Sequence, residues 1–137
     1  MYIQTGNQED SLIKELFNYD SKSTLDKDLY TYIFFQNENK NKGYVIYCDY
    51  TGYSVSMHIH LPKCLTRQVI RKMFEYPFKE LNVVNLFIEF RSSNGAVRKI
   101  ANGLGFVYHT SIDNYYGLME DKIIMVANRN NIQKWLE

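Results

Sequence analysis

The stretch VVNLFIEFRSSNGAVRKIANGLGF, residues 83–106, decides how the rest of the chain is read. Its first eight residues are almost all apolar or β-prone, which predicts a strand over 83–90 buried on both faces. Ser92, Ser93 and Asn94 then supply the short polar side chains that cap helix N-termini, so a helix is expected over 95–102. Gly103 and Gly105 flank its end, where a residue tolerant of positive φ stops a helix.

Working upstream, residues 53–61 alternate cleanly. Tyr53, Val55, Met57, Ile59 and Leu61 share one face of a strand, and Ser54, Ser56, His58 and His60 share the other. Two further strands precede it, over 30–36 and 44–50, joined by a polar turn at 37–43. Residues 8–19 place Leu12, Ile13, Leu16 and Phe17 on one helical face, and Leu25 and Leu29 suggest a further turn. Pro62 ends the 53–61 strand. A helix from 64 or 65 to 76 turns Val69, Ile70, Met73 and Phe74 inward, and Pro77 is expected to kink or break it. Downstream, strands over 106–112 and 122–127 flank a tyrosine-rich loop, and 132–136 closes the chain. The order is helix, three antiparallel strands, helix, strand, helix, two strands. It predicts an α+β fold on one mixed, mostly antiparallel sheet, as a single domain over 1–137.

Composition narrows the function classes. The chain has 137 residues and is 45% apolar, enough for a core and too apolar for disorder. Its 16 basic and 15 acidic side chains leave a net charge of +1, so no nucleic-acid partner is expected. Cys48 and Cys64 match no metal-ligand spacing and read as free thiols of a reducing cytoplasm. No run is long and apolar enough to cross a membrane, and no signal-peptide layout opens the sequence, so no membrane partner is expected. Tyr, Asn, Ile and Lys are plentiful while Ala occurs only at 96, 101 and 127, a bias typical of AT-rich coding.

With these elements in order, the chain resembles the GNAT (Gcn5-related) N-acetyltransferases. That family runs from its fifth strand into the next helix with a pattern close to L-x-L-E-V-R-x-S-N-x-x-A-x-x-L-Y-x-x-L-G-F. Here Leu86 to Asn94, Ala101 and Leu104-Gly105-Phe106 correspond to it. A narrower likeness is to small GNAT-like proteins of bacteriophages, through Leu65-Thr66-Arg67, Arg71, Phe74, Tyr76-Pro77-Phe78, Leu81 and Trp135-Leu136. The resemblance implies a GNAT-type sheet flanked by helices, acetyl-CoA as acyl donor, and a protein or small amine as acceptor. It equally admits a catalytically inactive phage protein, either a virion component or a module that binds a host protein, in the host cytoplasm or the virion.

The resemblance also assigns sites. The donor's pyrophosphate falls to Lys63, Cys64, Leu65, Thr66 and Arg67, with Asn94 toward the pantetheine. The family's two glycines in this loop are replaced by Leu65 and Arg67, and its leading Arg or Gln falls near Pro62. The family's tyrosine that protonates the leaving thiolate is replaced by Ala101, and Tyr115 or Tyr116 is the candidate substitute. Glu89 is the candidate base for the amine proton, or else a strand glutamate paired with Arg91. His60 is the second candidate base; with His58 it could instead be simply a polar residue on a half-solvated face. Asn94 could be no more than a helix cap. Cys64, at a helix N-terminus, has no visible paired base that would make it a nucleophile. Two histidines at i and i+2 lack an evident third ligand, so no metal is expected.

Overall fold

The computed structural model describes residues 2–7, 30–36, 42–61 and 65–137. The helix expected over 8–19, the tip of the turn at 37–41, and Pro62, Lys63 and Cys64 lie outside the described residues. Seven described strands form one sheet: β1 (Tyr2–Asn7), β2 (Tyr30–Gln36), β3 (Lys42–Cys48), β4 (Ser54–His60), β5 (Asn85–Arg91), β6 (Val107–Gly117) and β7 (Glu120–Ala127). Their order is β1-β2-β3-β4-β5-β7-β6. Every neighbouring pair is antiparallel except β4 with β5. Three α-helices accompany them among the described residues, α1 (Arg67–Glu75), α2 (Gly95–Leu104) and α3 (Arg129–Leu136).

The strand alternation read from the sequence divides the sheet into two faces. Val45, Tyr47, Val55, Met57, Leu86, Ile88, Phe90, Ile123 and Met125 project to one face and are buried there. All three helices close on this face, with Val69, Met73 and Phe74 from α1, Ala101 and Leu104 from α2, and Ile132 and Leu136 from α3. The other face carries Ser56, His58, Glu89, Arg91 and Lys122. Strand β5 is therefore not buried on both faces as its run of apolar residues predicts. Leu86, Ile88 and Phe90 are buried, whereas Asn85, Phe87, Glu89 and Arg91 stay half-covered.

Each helix is set by local chemistry. Thr66 caps α1 by accepting the Val69 amide at 3.2 Å, and Arg71 pairs with Glu75 one turn on. Asn94 caps α2 through the Val97 amide, and Asn128 and Asn131 cap α3 reciprocally. Gly105 ends α2 at φ 110°, and a Cβ there would lie 2.6 Å from Asn131 O in α3.

The α-helix ends at Glu75, just before Pro77, as a proline there predicts. The chain continues through one π-helical turn, Tyr76–Glu80, in which the Leu81 amide reaches back to Tyr76 O at 3.0 Å. Proline has no amide to offer Met73 O, its α-helical partner four residues earlier. That carbonyl accepts the hydroxyl of Tyr47, which crosses the core from β3. Burial holds the Tyr47 phenol well above its ordinary pKa, so it remains a donor. Two expectations are revised. The tyrosine-rich stretch after residue 112 is strand rather than loop, because β6 runs to Gly117 and turns through Leu118 and Met119 alone. An additional strand, β1, precedes the residues where the first helix was expected.

Removing only the Tyr47 hydroxyl tests the tie across Pro77. Tyr47→Phe leaves Met73 O without its side-chain donor and should cost about 1–3 kcal/mol in urea melts. A midpoint equal to wild type would show that the tie contributes nothing.

Candidate functional site at the parting of β4 and β5

Parallel pairing between β4 and β5 runs from Ser54↔Asn85 to Met57↔Ile88. Beyond it β4 continues to His60, paired only with β3, and β5 continues to Arg91, paired only with β7. The strands part there, and the wedge between them opens at their carboxyl ends. Helices α1 and α2 begin just after these ends, so two helix N-termini, with their partial positive charge, flank the wedge. In α1 the Val69 amide goes to Thr66 Oγ1 and the Ile70 amide to Thr66 O. The amides of Arg67 and Gln68 precede these and are the ones the helix leaves for an outside acceptor.

On the face opposite the helices α1 to α3, the first residue of each strand beyond the pairing is ionisable. His58 Nε2 lies 3.9 Å from Glu89 Oε2, and Lys122 Nζ from β7 lies 2.9 Å from the same oxygen. The Glu89 and Lys122 side chains are only 14% and 16% exposed, so the pair is shielded far more than a surface ion pair. Burial acts to lower the Lys122 pKa, but the hydrogen bond and charge of Glu89 outweigh it and the net shift is upward.

The β6–β7 hairpin completes the cluster. Register is irregular between Ile112 and Gly117, and Asn114 sits at φ 54°. The Asn114 amide donates to Asp121 Oδ1 at 2.9 Å, and Asn114 Oδ1 accepts the Met119 amide at 2.7 Å. The break in alternation brings two consecutive tyrosines to the cluster. Lys122 Nζ lies 4.5 Å from the Tyr115 ring and the Arg91 guanidinium 4.3 Å from the Tyr116 ring, with the two rings edge to face. Burial raises the Tyr116 phenol pKa, with Lys122 opposing and Glu89 adding to the shift. Ser93 and Glu120, joined at 2.6 Å, fasten the turn between β5 and α2 to this hairpin.

The predicted residues therefore separate. Glu89 and Tyr115 come together through Lys122. His60 stacks against Tyr44 at 5.4 Å with its Nε2 buried, while His58 is the histidine beside Glu89. Leu65, Thr66 and Arg67 stand at the start of α1, where the Arg67 guanidinium lies over the Trp135 ring and reaches Lys134 O at 3.5 Å. Asn94 acts as a helix cap, and Ala101 is fully buried in the core. Lys63 and Cys64 lie outside the described residues. Cys48, on β3 and on the same sheet face as His58, is pushed from its ordinary 9.0 to about 12, first by burial and then by Asp49 and Glu89. Sequence reading missed Lys122, although strand parity places it on the Glu89 face once β7 is paired to β5. No group of three or more His, Cys, Asp or Glu suited to a metal occurs among the described residues.

No protein-family model matches the sequence, and no curated protein matches it significantly. Solved structures do match. A variant of the spermidine N-acetyltransferase SpeG from Vibrio cholerae aligns over 99% of this chain and 96% of that chain, with TM-score 0.74 at 16% identity. The chain adopts the GNAT acetyltransferase fold. SpeG in complex with CoA and spermine gives TM-score 0.64 at 18% identity, over 88% of this chain and 76% of that one. A ribosomal-protein alanine acetyltransferase from Vibrio fischeri gives 0.64 at 19%, over 91% and 71%. In this GNAT-fold chain the wedge lies at the carboxyl ends of two interior strands, and the ionisable cluster lies on one face beside it.

A pH prediction follows from the shifts. Tyr47, Cys48, Tyr116 and Lys122 all hold their protons more tightly when folded. Above about pH 9 the unfolded chain gives up protons that the folded chain keeps, so stability falls as pH rises. Melting temperature should decline steadily from pH 8.5 to 11, and Cys48→Ser should delay the onset. A level profile over that range would contradict the assignment.

Proposed function

We propose that the protein is an N-acetyltransferase that transfers the acetyl group of acetyl-CoA to a primary amine. The observation that carries this reading is the convergence of His58 and Lys122 on Glu89 where β4 and β5 part. The residues present fit an acyl-CoA. The wedge accepts an extended thiol arm between two strand edges, and the Arg67 and Gln68 amides at the α1 N-terminus suit a phosphate. Leu65 and Arg67 give that end less backbone approach than glycines would, with Thr66 already committed to Val69. Bound acetyl-CoA supplies an activated acyl carbon beside the cluster.

The chain's own groups then handle protons. An amine attacks only after losing a proton, and a histidine held beside a carboxylate takes one near neutral pH. His58 receives it, and the Glu89 carboxylate stabilises the charge; Glu89 can also receive it directly or through water. His60, stacked on Tyr44, is less well placed. Tyr115 and Tyr116 hold phenols at the same mouth and can return a proton to the departing sulfur in place of the tyrosine that Ala101 replaces. Two of the similar structures come from a spermidine acetyltransferase and one from a protein acetyltransferase, so both small amines and protein amines are acceptor classes to test.

A second reading rests on Ala101. It fills the core at the position of the family's acid, and Glu89 is already engaged by Lys122. On this reading a phage-encoded scaffold acts without catalysis, in the virion or on a host protein. Calorimetric titration with acetyl-CoA separates the two. Heat of binding and a rise in melting temperature are expected, since a ligand of the folded state must stabilise it. Neither effect at millimolar acetyl-CoA would reject the enzyme reading, and finding the protein by mass spectrometry in purified virions would favour the second. If acetyl-CoA binds, Glu89→Gln should reduce turnover by about 10²-fold or more while sparing donor affinity. An unchanged rate would remove Glu89 from the proton path.

A further inference from the structure

We propose that Glu89, the Tyr115 ring and His58 form a seat for the ammonium of a primary amine, and that Lys122 occupies this seat from within until an acceptor displaces it. A carboxylate at hydrogen-bond distance and an aromatic face within cation–π range are the two groups that recognise an alkylammonium. Lys122 Nζ satisfies both at once, 2.9 Å from Glu89 Oε2 and 4.5 Å from the Tyr115 ring. The protein's own ammonium thus marks where a foreign one would lie. The seat is at the mouth of the wedge, because Glu89 is the first β5 residue beyond the parallel pairing.

Two features make Lys122 a displaceable occupant rather than a fixed strut. It enters from the hairpin side, where β6–β7 register is irregular and the turn residues Leu118 and Met119 are almost fully exposed. Its ammonium is carried on four methylenes, so Nζ can leave without moving β7. The surrounding charge also selects the ligand. Arg91, 4.3 Å from the Tyr116 ring, sets a fixed cation beside the seat, and Tyr116 feels Lys122, Glu89 and Arg91 together. Removing Lys122 leaves one positive neighbour and one carboxylate. That balance favours a single ammonium on an uncharged stem over a polyamine. The inference rests on the acetyltransferase reading for calling the ligand an acceptor, but the seat exists or fails without an acyl donor.

The test therefore omits the donor. Lys122→Ala and Lys122→Met are titrated with n-butylammonium, which matches the lysine stem, and followed by calorimetry and melting temperature. Both variants should bind it at least tenfold more tightly than wild type and regain part of any melting temperature they lose. Adding Glu89→Gln should abolish the gain, and spermidine should bind no better than butylammonium. If both variants fail to fold, the same question is put to the wild-type chain. A saturating excess of butylammonium should then shift the NMR signals of the Lys122 side-chain ammonium and the Tyr115 ring. Folded variants with no more affinity than wild type, or a wild-type Lys122 signal that stays fixed, would overturn the proposal. A seat that binds butylammonium in a protein that ignores acetyl-CoA would reject the acetyltransferase reading alone.

Discussion

The structure depends on a short parallel ladder. Residues 54–57 of β4 and 85–88 of β5 join an antiparallel unit of β1 to β4 with a second of β5, β7 and β6. Were this ladder longer, the two units would form an uninterrupted sheet with no opening. Were it absent, nothing in the strand pairing would align them. By ending at Met57 and Ile88 it does two things: it fixes the relative placement of the units and exposes two strand edges to the same space. A parallel pair requires a crossover, and α1 supplies it, which is why a helix N-terminus lies at the edge where the strands separate.

How much of this could be read from the chain varies with the range of the interaction. Strand β4 was legible because its alternation is unbroken from Ser54 to His60, and α2 because Asn94 and Gly105 mark both ends. The reading of β5 failed on one face. Its apolar run hid the fact that the side shared by Phe87, Glu89 and Arg91 remains half-covered. The π-helical turn that carries Pro77 was illegible, since the group that accommodates the proline is a tyrosine on a strand distant in sequence. The tyrosine-rich stretch looked like loop because its alternation is broken, and that irregularity is the feature that turns Tyr115 and Tyr116 to the same place. Lys122 belongs to the site only through pairing of β7 with β5, and no local signal records that pairing.

The site combines retained and altered parts of the fold's usual equipment. Glu89 stands on the strand edge where the resemblance puts a base, and the structure adds His58 rather than His60 beside it. Ala101 belongs wholly to the core, so the position where the resemblance puts an acid carries none. The hairpin tyrosines Tyr115 and Tyr116 bring phenols to the cluster from a different element. Arg67 is turned to Lys134 and Trp135 of α3 rather than to the first turn of its own helix.

The bulged strand β6 has a further effect, on how the molecule meets others of its kind. It is the last strand of the sheet, eleven residues long, with Val107, Tyr108, Ile112 and Tyr115 exposed. A straight edge of that length and composition would template the strand of a neighbouring molecule and invite aggregation. Register breaks at His109 and again beyond Ile112 divide it into runs too short and too twisted to serve as a template. The irregularity that delivers two tyrosines to the site therefore also breaks up the template that this edge strand would otherwise present.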